Sequence, residues 1–224
     1  MKKAISLILA LVMCLSLCAC GGGESNTPNT PETTEAPTET TVPEETVMTK
    51  DEMLASAVHL EMYEINNASV ENIAKAKMDY CNKILQVNGQ ITQITEEYIV
   101  ISSGDYAIDV YLPLEELITL TLFQQVIIVG ETTDEIVKAG FGGHYQMPVA
   151  YLVTDRYNIR CVIQTSGIKL MDADGKQLDG IRSCHWAEGV DKSQYDWQEV
   201  TISAKIIYNT TTGKPEYYDA TIVE

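Results

Sequence analysis

The sequence predicts a mainly β protein of the α+β class, with a helical lead in front of a small Greek-key barrel and a second β domain behind it. Two observations support this prediction. Apolar residues recur at helical spacing only between about residues 50 and 81, and they recur with a period of two over most of the chain after residue 82. Short strands of this kind, separated by turn residues, are typical of small barrels and sandwiches.

The N-terminus has the form of a bacterial export signal. Two lysines precede an uncharged apolar run over residues 4–17, which is too short for a permanent transmembrane helix. The stretch LCAC at 17–20 resembles the lipobox of bacterial lipoproteins, in which a small residue precedes the cysteine that is acylated and becomes the mature N-terminus. The resemblance implies that residues 1–19 are removed and that Cys20 bears the lipid.

Lipid attachment at Cys20 determines the expected location. A thiolate accepts a diacylglyceryl group as a thioether, and two acyl chains such as palmitate on one residue are sufficient for stable anchoring. We therefore expect the protein on the extracytoplasmic side of the cell membrane, with the diacylglyceryl-cysteine as its membrane contact. The alternative is an ordinary signal peptide that is cut after Ala19 and leaves Cys20 free.

A polar tether follows the cysteine and completes the segment 20–47. Three glycines at 21–23 lead into residues 24–46, which are rich in Thr, Pro and Glu and contain no basic side chain. Such a composition cannot bury enough apolar surface to offset the entropy of ordering. Proline and like charge favour an extended spacer, which would hold a folded body away from the membrane.

The chain is strongly acidic, with a formal net charge of -17 at pH 7. Removal of the two lysines of the leader makes the mature protein more acidic still. An acidic surface repels nucleic acid and anionic lipid headgroups. The charge therefore argues against nucleic acid as a partner, and it is consistent with a cell-surface protein and with cationic partners.

The cysteines of the body do not form a disulfide scaffold. Only Cys81, Cys161 and Cys184 follow the tether, and an odd count admits at most one bridge.

Two helices are predicted in the lead. The residues TKDE at 49–52 have the form of a capping box and open a helix that the apolar spacing extends to Ile65. The pair NN at 66–67 interrupts this helix. A second helix follows, with an apolar stripe that runs from Val70 to Cys81.

The first barrel is predicted from the order of its elements. Strands are predicted at residues 85–91, 98–101, 106–112, 125–129 and 149–153, with a short helix at 113–120. Three strands, a short helix and two strands is the order of an OB-fold, a five-stranded Greek-key barrel. The glycine-rich stretch at 140–144 is expected to be a long loop before the last strand.

A family resemblance supports this fold over about residues 50–155. It rests on the runs VNGQI at 87–91 and VIIVG at 126–130, and on five residues of the lead: Tyr63, Asn66, Ala74, Tyr80 and Lys83. These residues resemble the anticodon-binding-like OB-fold family of bacterial lipoproteins and secreted proteins. The resemblance implies that Gly89 and Gly130 lie where barrel strands bend. The pair LF at 122–123 departs from the family, which usually has a glycine-containing turn before the fourth strand.

Residues 156–224 are predicted to repeat the same plan, behind a first domain at 48–155. Strand patterns occur at residues 157–164, 168–171, 177–183, 200–208 and 217–223. The segment 187–197 lies where the helix of a second OB-like barrel would fall. The alternative is a β extension that completes the first barrel.

The sequence predicts neither an enzyme nor a metal site, and it implies no cofactor. The turn DADG at 172–175 lacks the ligand spacing of a calcium loop. Cys184 and His185 are adjacent in a strand and therefore point to opposite faces. His59 and His144 have neither a recognisable nucleophile nor a companion at metal-ligand spacing.

Tyrosines are the candidate ligand-binding residues. Tyr98, Tyr106 and Tyr111 lie on predicted barrel strands, where exposed aromatic rings can stack on sugars or bases. The predicted function is a surface-displayed binding module for a protein or a cell-wall glycan. The alternative is a non-catalytic accessory subunit of a cell-envelope complex, which would assemble through edge strands. Nucleic-acid binding would follow from the family name by analogy alone.

Overall fold

The computed structural model describes residues 47–140 and 142–223, which belong to one compact unit. The predicted leader, the lipid-bearing Cys20 and the tether lie outside the described residues. No helix in the described part of the chain is long and apolar enough to cross a membrane.

The lead contains three helices and one strand. The capping box is confirmed, because the Thr49 N–H donates to Glu52 Oε2 at 2.8 Å and the Glu52 N–H donates to Thr49 Oγ1 at 3.4 Å. The elements are α1 (Lys50–Ser56), β1 (Val58–Glu61), α2 (Met62–Glu71) and α3 (Ile73–Tyr80).

The lead differs from the prediction at β1. Helical spacing continues through this segment, but Val58–Glu61 pairs in parallel with the first barrel strand, so tertiary pairing overrides the local pattern. The pair at 66–67 lies inside α2 and does not interrupt it. Asn66 Oδ1 instead accepts the N–H groups of Asp105 and Tyr106, at 3.0 and 3.2 Å, and so holds the turn between two barrel strands.

Of the predicted apolar stripe of the second helix, only the last residue, Cys81, is buried. Val70 and Met78 are exposed, whereas Ser69 and Ala76 are buried. Ser69 reaches the core of the barrel, where its hydroxyl oxygen lies 2.7 Å from that of Tyr145. The sequence pattern could not distinguish this from burial of the larger residues.

The first sheet curls into the predicted OB-fold barrel. Its elements are β2 (Ile84–Ile94), β3 (Tyr98–Ser102), β4 (Tyr106–Tyr111), α4 (Leu114–Leu117), β5 (Gln125–Glu131), β6 (Val137–Ala139), β7 (Gly142–Met147) and β8 (Val149–Thr154). The strands follow the order β6-β7-β4-β3-β2-β5-β8 in the sheet. β7 is parallel to β4, and β8 is antiparallel to β5. These two segments, on either side of Pro148, therefore act as the two halves of the fifth barrel strand.

The stretch at 140–144 was expected to be a loop, but β7 begins within it. Gly142 packs against the backbone of Asp105, where a Cβ atom would overlap the Asp105 carbonyl oxygen. Tyr145 and Met147 then point into the core. Glycine is therefore required in this strand for close backbone approach, and its frequency there hid the strand in the sequence.

The second sheet repeats the strand order of the first. Its elements are β9 (Tyr157–Gln164), β10 (Gly167–Leu170), β11 (Cys184–Trp186), a 3-10 helix (Lys192–Tyr195), β12 (Glu199–Tyr208) and β13 (Pro215–Val223). The strands follow the order β10-β9-β12-β13-β11, and β11 is parallel to β13. A bridge between Ile168 and Arg182 brings β10 next to the segment before β11. The predicted strand at 177–183 is reduced to isolated bridges.

This order gives the second sheet the strand pairing of an OB-like unit, and its status as a separate domain stays a prediction. In both sheets the first strand pairs with the second and the fourth, and the fifth strand runs parallel to the third. The 3-10 helix lies between the third and fourth strands, as α4 does in the first barrel. The exact boundary between residues 155 and 156 stays a prediction.

The two barrels meet at the turn before β5. The Tyr208 N–H donates to the Phe123 carbonyl at 3.0 Å, and Gln124 forms a bridge with Ile207. Gln124 is fully buried there, and its side-chain amide donates to Asp155 at 3.2 Å. Backbone and side-chain hydrogen bonds therefore join the end of β12 to the first barrel.

Candidate functional site

The structure brings two of the three predicted tyrosines together. Tyr98 and Tyr111 are cross-strand partners on β3 and β4, with ring centroids 5.1 Å apart and planes inclined by 39°. Tyr106 lies at the other end of β4 on the inner side of the sheet, where it packs against the core. Its ring borders a separate cleft that also contains Lys77 and Lys138.

A histidine and a carboxylate lie on the same outer face as Tyr111. His144 Nδ1 and Asp109 Oδ1 are 2.6 Å apart, and Asp109 is largely buried. Among the described residues, no hydroxyl or thiol group is hydrogen-bonded to His144. The described residues also contain no group of three or more His, Cys, Asp or Glu side chains placed to hold a metal ion.

A polar groove lies where the two barrels meet. It has a volume of about 440 Å³ and receives Tyr208 from the second barrel. We call it the amide groove, after the side chains that form its floor and rim: Glu61, Asn88, Gln90 and Gln125, with Tyr63 and Tyr208.

The floor of the amide groove follows from the alternation of β2. Leu85, Val87 and Ile91 point into the core, so Gln86, Asn88 and Gln90 point outward. Because a strand rises about 3.4 Å per residue, these amides lie about 7 Å apart in a row. Gln90 is opposite Gln125 on β5, and Asn88 is opposite Glu61 on β1.

Asn88 fixes the positions of neighbouring side chains in the groove through its hydrogen bonds. Its Nδ2 atom donates to Glu61 Oε1 at 3.0 Å, and its Oδ1 atom accepts from Gln125 Nε2 at 2.8 Å and from the Tyr157 hydroxyl at 2.9 Å. Burial and then the nearby Glu61 carboxylate raise the pKa of Tyr157, so its hydroxyl remains a donor. Asn88 is therefore a positioning residue, and the neighbouring glutamines present their remaining polar atoms to the groove.

The amide groove continues past the Glu61–Asn88 hydrogen bond into a second cleft of about 290 Å³. His59 and Gln86 are opposite each other on β1 and β2 and line this extension. No lysine or arginine among the described residues lines either part, and the charges present are carboxylates, including Glu64. The surface therefore disfavours an anionic ligand, and its amides suit a ligand that contains many hydrogen-bonding groups.

Two aromatic rings flank the floor. Tyr63, on α2, is 54% exposed, although a large aromatic side chain is normally mostly buried. Tyr208 ends β12 and is half-buried. Both rings offer a flat apolar surface beside a row of amides.

The amide groove was not predicted, although part of its signal is in the sequence. The run LQVNGQI places Gln86, Asn88 and Gln90 in the outward phase of an alternating strand, where they form a row of amides. The contribution of Tyr157 and Tyr208 depends on how the barrels pack. No local pattern could reveal that contribution.

Comparison with known proteins does not identify a family. No protein-family model matches the chain, and no curated protein matches it. Among solved structures, the chain is similar to a crystal structure from Klebsiella pneumoniae subsp. pneumoniae that bears the name of a suspected nucleic acid-binding lipoprotein. The TM-score is 0.38 and the identity is 18%, over 48% of the present chain and 100% of that chain. A match at this level carries no argument about function.

Proposed function

We propose that the protein is a membrane-anchored lipoprotein whose body binds a neutral cell-wall glycan in the amide groove. The observation that supports this most is the row of outward amides on β2 beside the exposed Tyr63 and the half-buried Tyr208. An amide both donates and accepts hydrogen bonds, and so do the hydroxyl and acetamido groups of a sugar. Tyrosine rings offer the apolar faces of sugar rings a surface on which to stack.

The charge of the groove favours a glycan over nucleic acid. A phosphate chain needs cations along its path, because neutralisation of phosphates supplies most of its affinity. The described residues of the amide groove instead present Glu61 and no lysine or arginine. A neutral polymer meets no such repulsion.

The predicted anchor and tether agree with this ligand. A lipid on Cys20 would fix the protein to the membrane, and the polar tether would let the body reach material beyond the lipid headgroups. The cell wall is such material. A glycan-binding body on a membrane anchor would link the two layers of the envelope.

Binding to purified cell-wall sacculi tests the groove. The full-length protein in detergent micelles is sedimented with sacculi, and its free concentration is measured. Gln90→Ala and Gln125→Ala each remove groups that face the ligand, and we expect affinity to fall about tenfold. Gln146→Ala removes an outward amide of β7 outside the groove and serves as the matched control.

Equal sedimentation of all three variants with wild type would rule out the amide groove as the glycan site. The accessory-subunit alternative would be favoured if the wild-type protein does not bind sacculi and instead copurifies with one envelope protein in a fixed ratio.

The anchor has its own test. We expect the mature wild-type protein to enter the detergent phase in a two-phase separation of whole cells, and its N-terminal peptide to begin at Cys20 and to carry the mass of a diacylglyceryl group. An N-terminal peptide that begins at Cys20 without this mass would contradict lipidation at Cys20.

A further inference from the structure

The two barrels carry equivalent turns before their fourth strands, and an aromatic residue occupies the same position in each. The Phe123 N–H donates to the Ile91 carbonyl at 2.8 Å, and the Trp197 N–H donates to the Ile163 carbonyl at 2.9 Å. Ile91 and Ile163 lie on the first strands of their barrels. Phe123 and Trp197 each precede the start of the fourth strand by two residues.

Trp197 stands where the backbone favours glycine. The Gln198 N–H donates to the Tyr195 carbonyl at 2.9 Å, Asp196 has φ -53° and ψ 128°, and Trp197 has φ +61°. This is a type II turn, whose third residue has positive φ and is usually glycine. Trp197 is also 68% exposed. The left-handed backbone is unfavourable for a residue with a Cβ atom, so the stability of the turn does not explain a tryptophan at this position.

In the first barrel the equivalent turn borders the amide groove. The Phe123 carbonyl accepts from Gln90 Nε2 at 3.4 Å, and Gln125 begins the fourth strand just after the turn. In the second barrel the turn borders a cleft of about 340 Å³. Glu199, which begins the fourth strand there, lines that cleft as Gln125 lines the amide groove.

Two residues that flank Trp197 in the chain, Tyr195 and Glu199, line this cleft together with Val200, Thr201, Ile222 and Val223. Tyr195 contributes a second aromatic ring and Thr201 a hydroxyl group. Glu199 forms an ion pair with Arg160, so its charge is balanced. A neutral ligand with hydroxyl groups and apolar ring faces fits this surface better than an ionic one.

We propose that Trp197 is the stacking platform of a second glycan-binding site, on the second barrel. Its indole covers the apolar face of one sugar ring, while Thr201 and Glu199 bond hydroxyl groups. This inference rests on the proposed function of the amide groove. Two sites on one body bind a polymer more tightly than either alone, because the second contact is intramolecular.

Intrinsic fluorescence tests the site directly, because the chain has 2 tryptophans and the other one, Trp186, has a buried indole nitrogen. The full-length protein in detergent is titrated with a soluble hexamer of N-acetylglucosamine. We expect the emission to change in intensity and to shift to shorter wavelength. Trp197→Phe should abolish this response and the matched variant Trp186→Phe should retain it. Gln90→Ala should also retain it, since the second site is separate from the amide groove.

A second variant distinguishes binding from structure. Trp197→Gly relieves the positive φ, so we expect an equal or higher melting temperature together with about tenfold weaker binding to sacculi. A residue with a purely structural role would instead lower the melting temperature and leave sacculus binding unchanged.

The outcomes separate this proposal from the one on which it rests. Two results together would overturn the second site and leave the proposal for the amide groove intact. Calorimetry would detect binding of the hexamer without a change in Trp197 emission, and the Trp197→Gly variant would bind sacculi as tightly as the wild type does. Loss of the emission change in Gln90→Ala would also overturn a separate site. Absence of any binding by the wild-type protein would overturn both proposals.

Discussion

Asn88 on the first barrel and Tyr157 on the second are joined by a hydrogen bond of 2.9 Å between the Asn88 Oδ1 atom and the Tyr157 hydroxyl. The same Asn88 oxygen accepts from Gln125, and the Asn88 nitrogen donates to Glu61. One side chain therefore links β1 of the lead and two strands of the first barrel, β2 and β5, to the first strand of the second. The shape of the amide groove depends on this link.

Asn88→Asp should destabilise the protein in a pH-dependent way. It removes the donor to Glu61 and places two carboxylates in contact, which raises the carboxyl pKa in the folded state above its unfolded value. The variant should therefore approach wild-type stability below the usual carboxyl range and lose about 1–3 kcal/mol as the pH rises to 7. Urea unfolding at pH 4 and pH 7 measures this difference.

The matched control for Asn88→Asp adds Glu61→Gln, which restores a donor opposite the new carboxylate. We expect the double variant to recover most of the stability at pH 7. An equal loss at both pH values, with no recovery, would mean that charge contact between these positions is not the cause.

A second prediction concerns the contact between α2 and β7. The hydroxyl oxygens of Ser69 and Tyr145 are 2.7 Å apart, and both residues are buried. Tyr145→Phe leaves the Ser69 hydroxyl unpaired and should cost about 1–3 kcal/mol. The double variant with Ser69→Ala should cost less than the sum of the single variants in thermal unfolding. Additive losses would contradict an energetic coupling.

Alkaline conditions should weaken the fold through its buried phenols. Burial raises the pKa of Tyr145 to about 12 and that of Tyr217 to about 12, whereas tyrosine in an unfolded chain titrates near pH 10. The folded state holds these protons more tightly, so their contribution is complete below about pH 10 and is lost between about pH 10 and 12. Urea midpoints that do not fall across this window would contradict the burial of these hydroxyls.

Gly89 should tolerate no side chain. A Cβ atom there would overlap Ile101 Cγ2 and lie 3.1 Å from Met62 Cβ, so Gly89→Ala should cost about 1–3 kcal/mol through overpacking. Gly213→Ala is the control, because Gly213 has open space around it and positive φ. That variant reports backbone strain alone and should cost about 1 kcal/mol. Thermal unfolding compares the two, and an equal loss would argue against the steric contact.

Thiol labelling examines the core and the anchor together. Cys81, Cys161 and Cys184 are free, and burial raises the pKa of Cys161 to about 11 and that of Cys184 to about 12. At pH 8 these thiols should react slowly in the native protein and rapidly in denaturant. One rapidly labelled thiol in the native mature protein would indicate an unmodified Cys20, as after an ordinary signal-peptide cut.

Much of the fold follows from alternation in the sequence. β9 was predicted with its observed bounds, because Tyr157–Gln164 alternates and is bounded by turn residues. β1 and β7 were missed for opposite reasons. The parallel pairing of β1 overrides a helical spacing, and the glycines of β7 satisfy a close backbone approach that no period reveals.

The candidate sites were less predictable than the fold. Tyr98 and Tyr111 were identified as strand aromatics, and they do meet on one face. The amide groove was missed because its shape depends on Tyr157, which arrives from the other barrel. Trp197 gave no signal in the sequence, since a positive φ becomes visible only in the folded turn.

The short connection between the barrels sets the distance between the two proposed sites. β8 ends at Thr154 and β9 begins at Tyr157, and the residues between them are both tied down. Asp155 pairs with Lys205 at 2.8 Å, and Arg156 donates to the Ser203 carbonyl at 2.9 Å. Because this connection is short and held by hydrogen bonds, the distance between the two proposed sites is fixed. A sugar chain that occupies both sites must therefore be long enough to span this distance and must place a sugar ring at each end of it.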